Sequence, residues 1–128
     1  MIARDLIRAR SRWWVAFAVL MGLQVVALYA VQGPDVPAAS QADKLVHAAM
    51  FALPAVVAVR LARTWPWTVL VLHALLSEPL QAWLTTQRQL DPWDTVADLV
   101  GIVLGVLAAQ AWRKRAADAK GARRRSPT

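Results

Sequence analysis

Four long apolar runs dominate the sequence and restrict the folds that are open to it. They cover residues 13–31, 42–59, 65–84 and 95–112, and each is 18 to 20 residues long. A helix needs roughly 20 apolar residues to cross a hydrocarbon core about 30 Å thick. The runs therefore predict an all-α fold, an integral membrane four-helix bundle with short connections between the helices.

Lysine and arginine are distributed unevenly about these runs. Of the 15 basic residues, four lie in residues 1–12, two between the second and third runs, and seven in residues 113–128. Short segments rich in these residues stay on the cytoplasmic side. Both termini are thus predicted to be cytoplasmic, with residues 1–12 as a basic N-terminus and residues 113–128 as a basic, disordered tail.

Composition excludes several other classes of protein. The chain is 58% hydrophobic and carries a net charge of +7, but its basic residues flank apolar runs instead of lining one folded face, so a nucleic-acid partner is not expected. It contains no cysteine, which excludes a disulfide scaffold and thiol catalysis. A cleaved signal peptide has an apolar stretch of roughly 7–15 residues. The first run is longer than that, so it is not expected to be a signal peptide.

Polar side chains converge at the predicted outer ends of the last three runs. Because the second and fourth runs descend from outside and the third rises toward it, we expect a set of polar residues at similar depth in the outer leaflet: His47, Glu78, Gln81 and Asp98. Insertion of a carboxylate near the centre of a span costs roughly 2.5–3.5 kcal/mol, so such residues are rare without a partner or a function.

Helical spacing places these residues on defined faces. Asp43 and His47 are four residues apart and share a face of the second helix, with Lys44 beside them. On the fourth helix one stripe carries Asp94, Asp98, Gly101 and Gly105. A G-x-x-x-G pair allows close helix packing, so the stripe with the carboxylates is predicted to face the bundle interior.

The candidate site follows from these positions. His47 and Glu78 are the candidate acid and base, and the remaining candidates bind a ligand: Asp43, Lys44, Gln81, Arg88, Asp94 and Asp98. Lys44 and Arg88 would hold phosphate or another anion, Gln81 would orient the ligand, and Asp94 and Asp98 would set the charge of their neighbours. Asp91 before Pro92 also fits a simple helix N-cap. Several carboxylates could hold a divalent cation through oxygen ligands, but no spacing specifies such a site, and no cofactor is identified.

The same residues, in the same order, resemble the VanZ-like family of small bacterial integral membrane proteins. The resemblance covers about residues 40–110 and rests on four motifs: Asp43-Lys44-x-x-His47, Glu78-x-x-Gln81, Arg88 with Asp94 six residues on, and Gly101-x-x-x-Gly105. It implies a small all-helical core in the bacterial cytoplasmic (inner) membrane, and the founding member is associated with teicoplanin resistance. Asp98 departs from the family, which usually has Asn at that position, and adds a negative charge.

Two functions remain open on the sequence. In the first, the polar cluster binds or modifies the headgroup of a lipid-linked cell-envelope precursor, whether or not the chain is an enzyme. In the second, the charged residues form an internal ion-pair network that holds the helices together or docks a partner protein. The expected partners are the lipid bilayer and such a precursor, and oligomers are compatible with either function.

Overall fold

The computed structural model describes residues 2–30, 41–84 and 91–125. These ranges contain four α-helices and no strand: α1 (Ile2–Tyr29), α2 (Gln41–Leu61), α3 (Trp65–Leu84) and α4 (Pro92–Arg125). The prediction of an all-α fold with four helices is confirmed.

Three of the described helices are long and apolar enough to cross a membrane, over Ser11–Tyr29, Gln41–Leu61 and Pro92–Arg123. The α3 helix has 20 residues, but it does not reach the same hydropathy because of its histidine, glutamate and glutamine. Large apolar side chains lie on the outside of the bundle; Leu23 is 61% exposed and Leu45 is 71% exposed. An apolar exterior is suited to lipid, and these features are those of a multi-pass membrane protein.

The terminal helices extend further than the apolar runs. The α1 helix begins at Ile2 and includes the basic N-terminus, and α4 continues to Arg125. Residues 113–125 are therefore helical, which differs from the disordered tail predicted over residues 113–128. Alanine, arginine and lysine are among the strongest helix formers, and this composition extends the helix where charge and polarity alone favoured disorder.

The closest packing joins α2 and α4. A Cβ atom added at Gly101 would collide with the backbone carbonyl of Ala48, and one added at Gly105 would collide with that of Ala52. Small residues on both helices thus let the two backbones approach directly. This confirms that the glycine stripe of α4 faces the bundle interior.

Local sequence signals account for the helix ends. Asp91 caps α4, since its Oδ1 accepts the backbone N–H of Trp93 at 3.0 Å, and Pro92 occupies the first helical position. Before α3, the carbonyl of Thr64 accepts the N–H of Trp67 at 3.0 Å. Ala62, just after α2, has a φ of 50°, the left-handed conformation common after a helix C-terminus.

Aromatic rings gather at the end of the bundle where α2 finishes and α3 begins. Trp14 stacks on Trp65 with ring centroids 5.0 Å apart. The guanidinium carbon of Arg60 lies 5.4 Å from the ring centroid of Trp13 and 5.9 Å from that of Trp112. These five residues, which join all four helices, are called the aromatic end below.

Candidate functional site

The opposite end of the bundle collects polar side chains from three helices. Six of the seven buried polar residues among the described positions lie here: His47, Ser77, Glu78, Gln81, Asp94 and Asp98. Together with Asp43, Lys44 and Asp91, they are called the acidic end. The close approach of α2 and α4 at Gly101 places the first turns of these two helices side by side, which explains why their polar residues meet.

A buried carboxylate–imidazole pair lies at the centre of the acidic end. The Nδ1 of His47 is 2.9 Å from Oδ1 of Asp98, and the two side chains are 1% and 0% exposed. The other carboxylate oxygen of Asp98 accepts the hydroxyl proton of Ser77 at 2.8 Å. Since Asp98 accepts from both neighbours, the proton of the imidazole is assigned to Nδ1.

The other ring nitrogen of His47 has no hydrogen-bond partner among the described residues. It lies 3.8 Å from Oδ2 of Asp94, which is too long for a hydrogen bond. A buried nitrogen of this kind normally bonds to protein, water or a ligand. The acidic end therefore presents a nitrogen that is oriented by Asp98 and available to a further group.

Lys44 joins α2 to the start of α4. Its Nζ donates to Oδ2 of Asp91 at 2.8 Å and to Oδ1 of Asp94 at 3.2 Å. The hydrogen bond from Lys44 is the main reason that the pKa of Asp91 lies below its ordinary value, and the N–H of Trp93 lowers it further. The ammonium is thus occupied by carboxylates, as in the ion-pair network of the second hypothesis, and not by the external anion of the first.

Glu78 connects α3 to the first turn of α4. Its Oε2 accepts the backbone N–H of Asp91 at 3.0 Å, and N–H groups at a helix N-terminus favour a negative partner. Its other oxygen, Oε1, is buried and has no hydrogen-bond partner among the described residues. One oxygen of Glu78 therefore has a structural role, while the other is available for chemistry.

The structure brings together most of the residues predicted for the site. Seven of the eight lie at the acidic end: Asp43, Lys44, His47, Glu78, Gln81, Asp94 and Asp98. Asp43 is half-buried beside His47 and Asp94. The eighth, Arg88, lies outside the described residues.

Two contributions were missed on the sequence. Ser77 hydrogen-bonds Asp98, and Asp91 pairs with Lys44 in addition to capping α4. A signal for Ser77 was present, because it lies four residues before Gln81 and so shares its helix face. The ion-pair network considered on the sequence set Lys44 against the aspartates as a group. Spacing along the chain did not single out Asp91, because the two residues come from different parts of the chain.

The arrangement has the parts needed for acid–base chemistry or for ligation. When a carboxylate binds one nitrogen of an imidazole, the second nitrogen of the ring is left to exchange a proton or to bind a cation. Comparison with protein-family models, curated proteins and solved structures finds no match to this chain. The VanZ-like resemblance therefore remains a prediction from the motifs alone.

Proposed function

We propose that the chain is a VanZ-like protein of the bacterial cytoplasmic membrane that crosses it four times with both termini inside. The distribution of basic residues supports this orientation. Two features support α3 as one of the four spans. Its length is about 30 Å at 1.5 Å per residue, and its polar residues Ser77, Glu78 and Gln81 are buried. These side chains face other helices, so they add little to the cost of contact with lipid.

The proposed topology can be tested directly because the chain contains no cysteine. Gln41, Arg63 and Lys120 are exposed in the structure. Single cysteines are therefore introduced at these positions, as Gln41→Cys, Arg63→Cys and Lys120→Cys. A membrane-impermeant maleimide added to intact spheroplasts should label Gln41→Cys and should label the other two only after the membrane is opened. Labelling of Lys120→Cys in intact spheroplasts would contradict the orientation.

Within this membrane protein, the acidic end is proposed to bind the polar headgroup of a lipid-linked cell-envelope component. The observation that carries this proposal is a buried polar cluster with two available atoms, His47 Nε2 and Glu78 Oε1, at one end of a bundle with an apolar exterior. A lipid-linked molecule could keep its chain against that exterior while its headgroup reaches the cluster. Carboxylates and imidazole suit the hydroxyl and amine groups of a saccharide.

Glu78 and His47 are the proposed acid and base if the headgroup is modified as well as bound. Both are buried, and each has one atom fixed by the protein and one available atom. For Lys44, the contacts with Asp91 and Asp94 favour a supporting role for the carboxylates over the anion-binding role of the first hypothesis.

Binding can be measured by native mass spectrometry of the full chain in mild detergent, with a polyprenyl-pyrophosphate-linked saccharide as the probe. Glu78→Gln keeps the size of the side chain and can still accept the N–H of Asp91, but loses the charge on the available oxygen. We expect binding about tenfold weaker or worse, as for loss of one charge-assisted hydrogen bond. The matched control is Leu75→Ala on the lipid-facing side of α3, where Leu75 is 49% exposed.

Equal binding by wild type and Glu78→Gln would contradict the headgroup proposal. In a bacterial host the same pair of variants tests the envelope role, with teicoplanin susceptibility as the readout. The wild type should change susceptibility, and Glu78→Gln should abolish that change at an equal level of membrane insertion.

The second candidate function is structural, and the contact that favours it is Lys44 between two carboxylates of α4. In this alternative the acidic end is an ion-pair network that fixes α2 against α4. Glu78→Gln would then lower thermal stability while leaving headgroup binding and susceptibility as in the wild type, so the same experiments separate the two functions.

A further inference from the structure

Three side chains of the acidic end form a group with the chemistry of a metal site. Asp43, His47 and Asp94 each offer one ligand atom, and these atoms lie within 4.8 Å of one another. We propose that Asp43, His47 and Asp94 bind a divalent transition-metal ion such as Zn²⁺ or Mn²⁺, with Asp98 as the outer partner of His47. This inference does not depend on headgroup binding. The ion takes the Nε2 of His47, so in a site that holds metal Glu78 alone remains as the proposed acid or base.

The strongest support comes from His47 itself. Its side chain is 1% exposed, its Nδ1–H is held by Asp98 at 2.9 Å, and its Nε2 faces Asp94 without a hydrogen-bond partner among the described residues. Metal-binding histidines almost always donate their other ring N–H to a carboxylate or carbonyl, which fixes the tautomer and turns the lone pair toward the ion. The pair of Asp98 and His47 has this geometry before any metal is considered.

Asp94 is the second ligand, and its contact with Lys44 leaves one carboxylate oxygen for an ion. One oxygen of Asp94 bonds Lys44, at 3.2 Å, and the other is turned toward His47, at 3.8 Å. The lysine thus orients the carboxylate without occupying the oxygen that a metal would use. Asp43, which begins the same turn of α2 as His47, contributes the third ligand atom.

The charge balance of the acidic end also favours a cation. Among the described residues it contains five carboxylates and a single lysine: Asp43, Glu78, Asp91, Asp94 and Asp98 against Lys44. Buried carboxylates in excess of their cations are costly. A divalent ion beside Asp94 offsets part of this negative charge, which is most costly at the three buried carboxylates Glu78, Asp94 and Asp98.

The ligand set selects the class of metal. One imidazole nitrogen and two carboxylate oxygens suit zinc and manganese, whereas magnesium and calcium prefer oxygen ligands only. In a tetrahedral zinc site with bonds of about 2.0–2.1 Å, neighbouring ligand atoms are about 3.4 Å apart. The 3.8 Å separation of His47 Nε2 and Asp94 Oδ2 requires only a small closure. Three protein ligands leave a fourth position open, as in catalytic zinc sites.

Isothermal titration of the full chain in detergent, stripped of metal with a chelator and free of any lipid-linked saccharide, tests the site with Zn²⁺ and Mn²⁺ alone. We expect one equivalent to bind, with little response to Mg²⁺ or Ca²⁺. His47→Gln should weaken zinc binding by about 100-fold or more, and Asp98→Asn by about tenfold through its outer contact. The matched control is Asp118→Asn, an exposed carboxylate further along α4, which should bind zinc as the wild type does.

A second measurement avoids the risk that a ligand variant fails to fold. The chain has two histidines, so ¹⁵N-histidine spectra of His73→Gln report on His47 alone. Zinc should shift the Nε2 resonance of His47 while Nδ1 stays protonated. If zinc in excess leaves the Nε2 resonance of His47 unchanged, or if His47→Gln binds zinc as tightly as the wild type, His47 is not a ligand and the proposed metal site is wrong. Metal binding without saccharide binding would leave this inference intact and contradict only the headgroup proposal.

Discussion

The acidic end and the aromatic end differ in how far their charged groups are exposed. At the aromatic end, Arg60 is exposed and lies over the faces of Trp13 and Trp112, which are 39% and 65% exposed. At the acidic end, the contact between His47 and Asp98 is almost completely buried. A charge that keeps its water gains little from each contact, whereas a buried charge depends on its partners. Sensitivity to substitution should therefore be concentrated at the acidic end.

The largest expected effect comes from Asp98→Ala. The substitution leaves the Nδ1–H of His47 without its buried acceptor, whereas the hydroxyl of Ser77 can still donate to the carbonyl of Ala74 at 2.9 Å. We expect a loss of about 3 kcal/mol in the free energy of unfolding. Denaturant unfolding in detergent micelles, followed by circular dichroism, measures it. Asp98→Asn is the control because its carbonyl can still accept from His47. If Asp98→Ala lowers the free energy of unfolding by less than about 0.5 kcal/mol, the acidic end is no more sensitive to substitution than an exposed surface.

The next effect tests the packing that holds the acidic end together. In Gly101→Ala the new methyl group meets the backbone of Ala48, so α2 and α4 must separate, and we expect a loss of about 2 kcal/mol. Gly22→Ala is the matched control, because a Cβ at that position meets nothing within 4 Å and alanine favours the helix by about 1 kcal/mol. If the free energy of unfolding falls in Gly101→Ala and rises in Gly22→Ala, the close contact is supported. Changes of the same sign in the two variants would contradict it.

A smaller effect is expected at the aromatic end. Arg60→Gln removes the cation from the faces of Trp13 and Trp112, and exposed contacts of this type contribute about 0.5–1 kcal/mol. Tryptophan fluorescence during unfolding provides the measurement, with Arg63→Gln, an exposed neighbour beyond α2, as the control. A loss as large as that of Asp98→Ala would show that the aromatic end also depends on a buried charge.

The smallest effect concerns Asp91 and depends on pH. Because Lys44 lowers the pKa of Asp91 below its ordinary value of 3.8, the contact stabilises the folded protein fully above that value. Its contribution is lost as the pH falls through the lowered pKa. Asp91→Asn keeps an N-cap but removes this contribution at every pH. The difference in Tm between wild type and Asp91→Asn should therefore be present at neutral pH and shrink below pH 3.8.

Asp118→Asn, at an exposed position of α4, controls for general effects of charge in the Asp91 experiment. Its Tm should follow that of the wild type across the same range of pH. A difference between wild type and Asp91→Asn that grows on acidification would have the wrong sign for a lowered pKa, and it would contradict the contact with Lys44.

The sequence predicted the helices, the interior stripe of α4 and most members of the acidic end, because helical periodicity places residues on faces and at depths. Periodicity does not fix how far one helix is rotated or shifted against its neighbour. For that reason it left open whether His47 would meet Asp98 or Asp94, and it did not indicate that Glu78 would accept the backbone N–H of Asp91. The helical residues 113–125 were missed for another reason, since a high density of charge favoured disorder while the alanine content favoured helix.

The length of α4 has a consequence for the basic residues near its end. The helix has 34 residues and is about 51 Å long at 1.5 Å per residue, well beyond a hydrocarbon core of about 30 Å. If the membrane ends near Trp112, as the sequence predicts, and α4 continues along the membrane normal, residues 113–125 extend about 20 Å from the membrane. That is more than twice the Debye length of about 8 Å at physiological ionic strength. Phosphates of the membrane would then be screened from the far turns, so attraction to lipid falls to Arg113, Lys114 and Arg115, the three basic residues directly after Trp112.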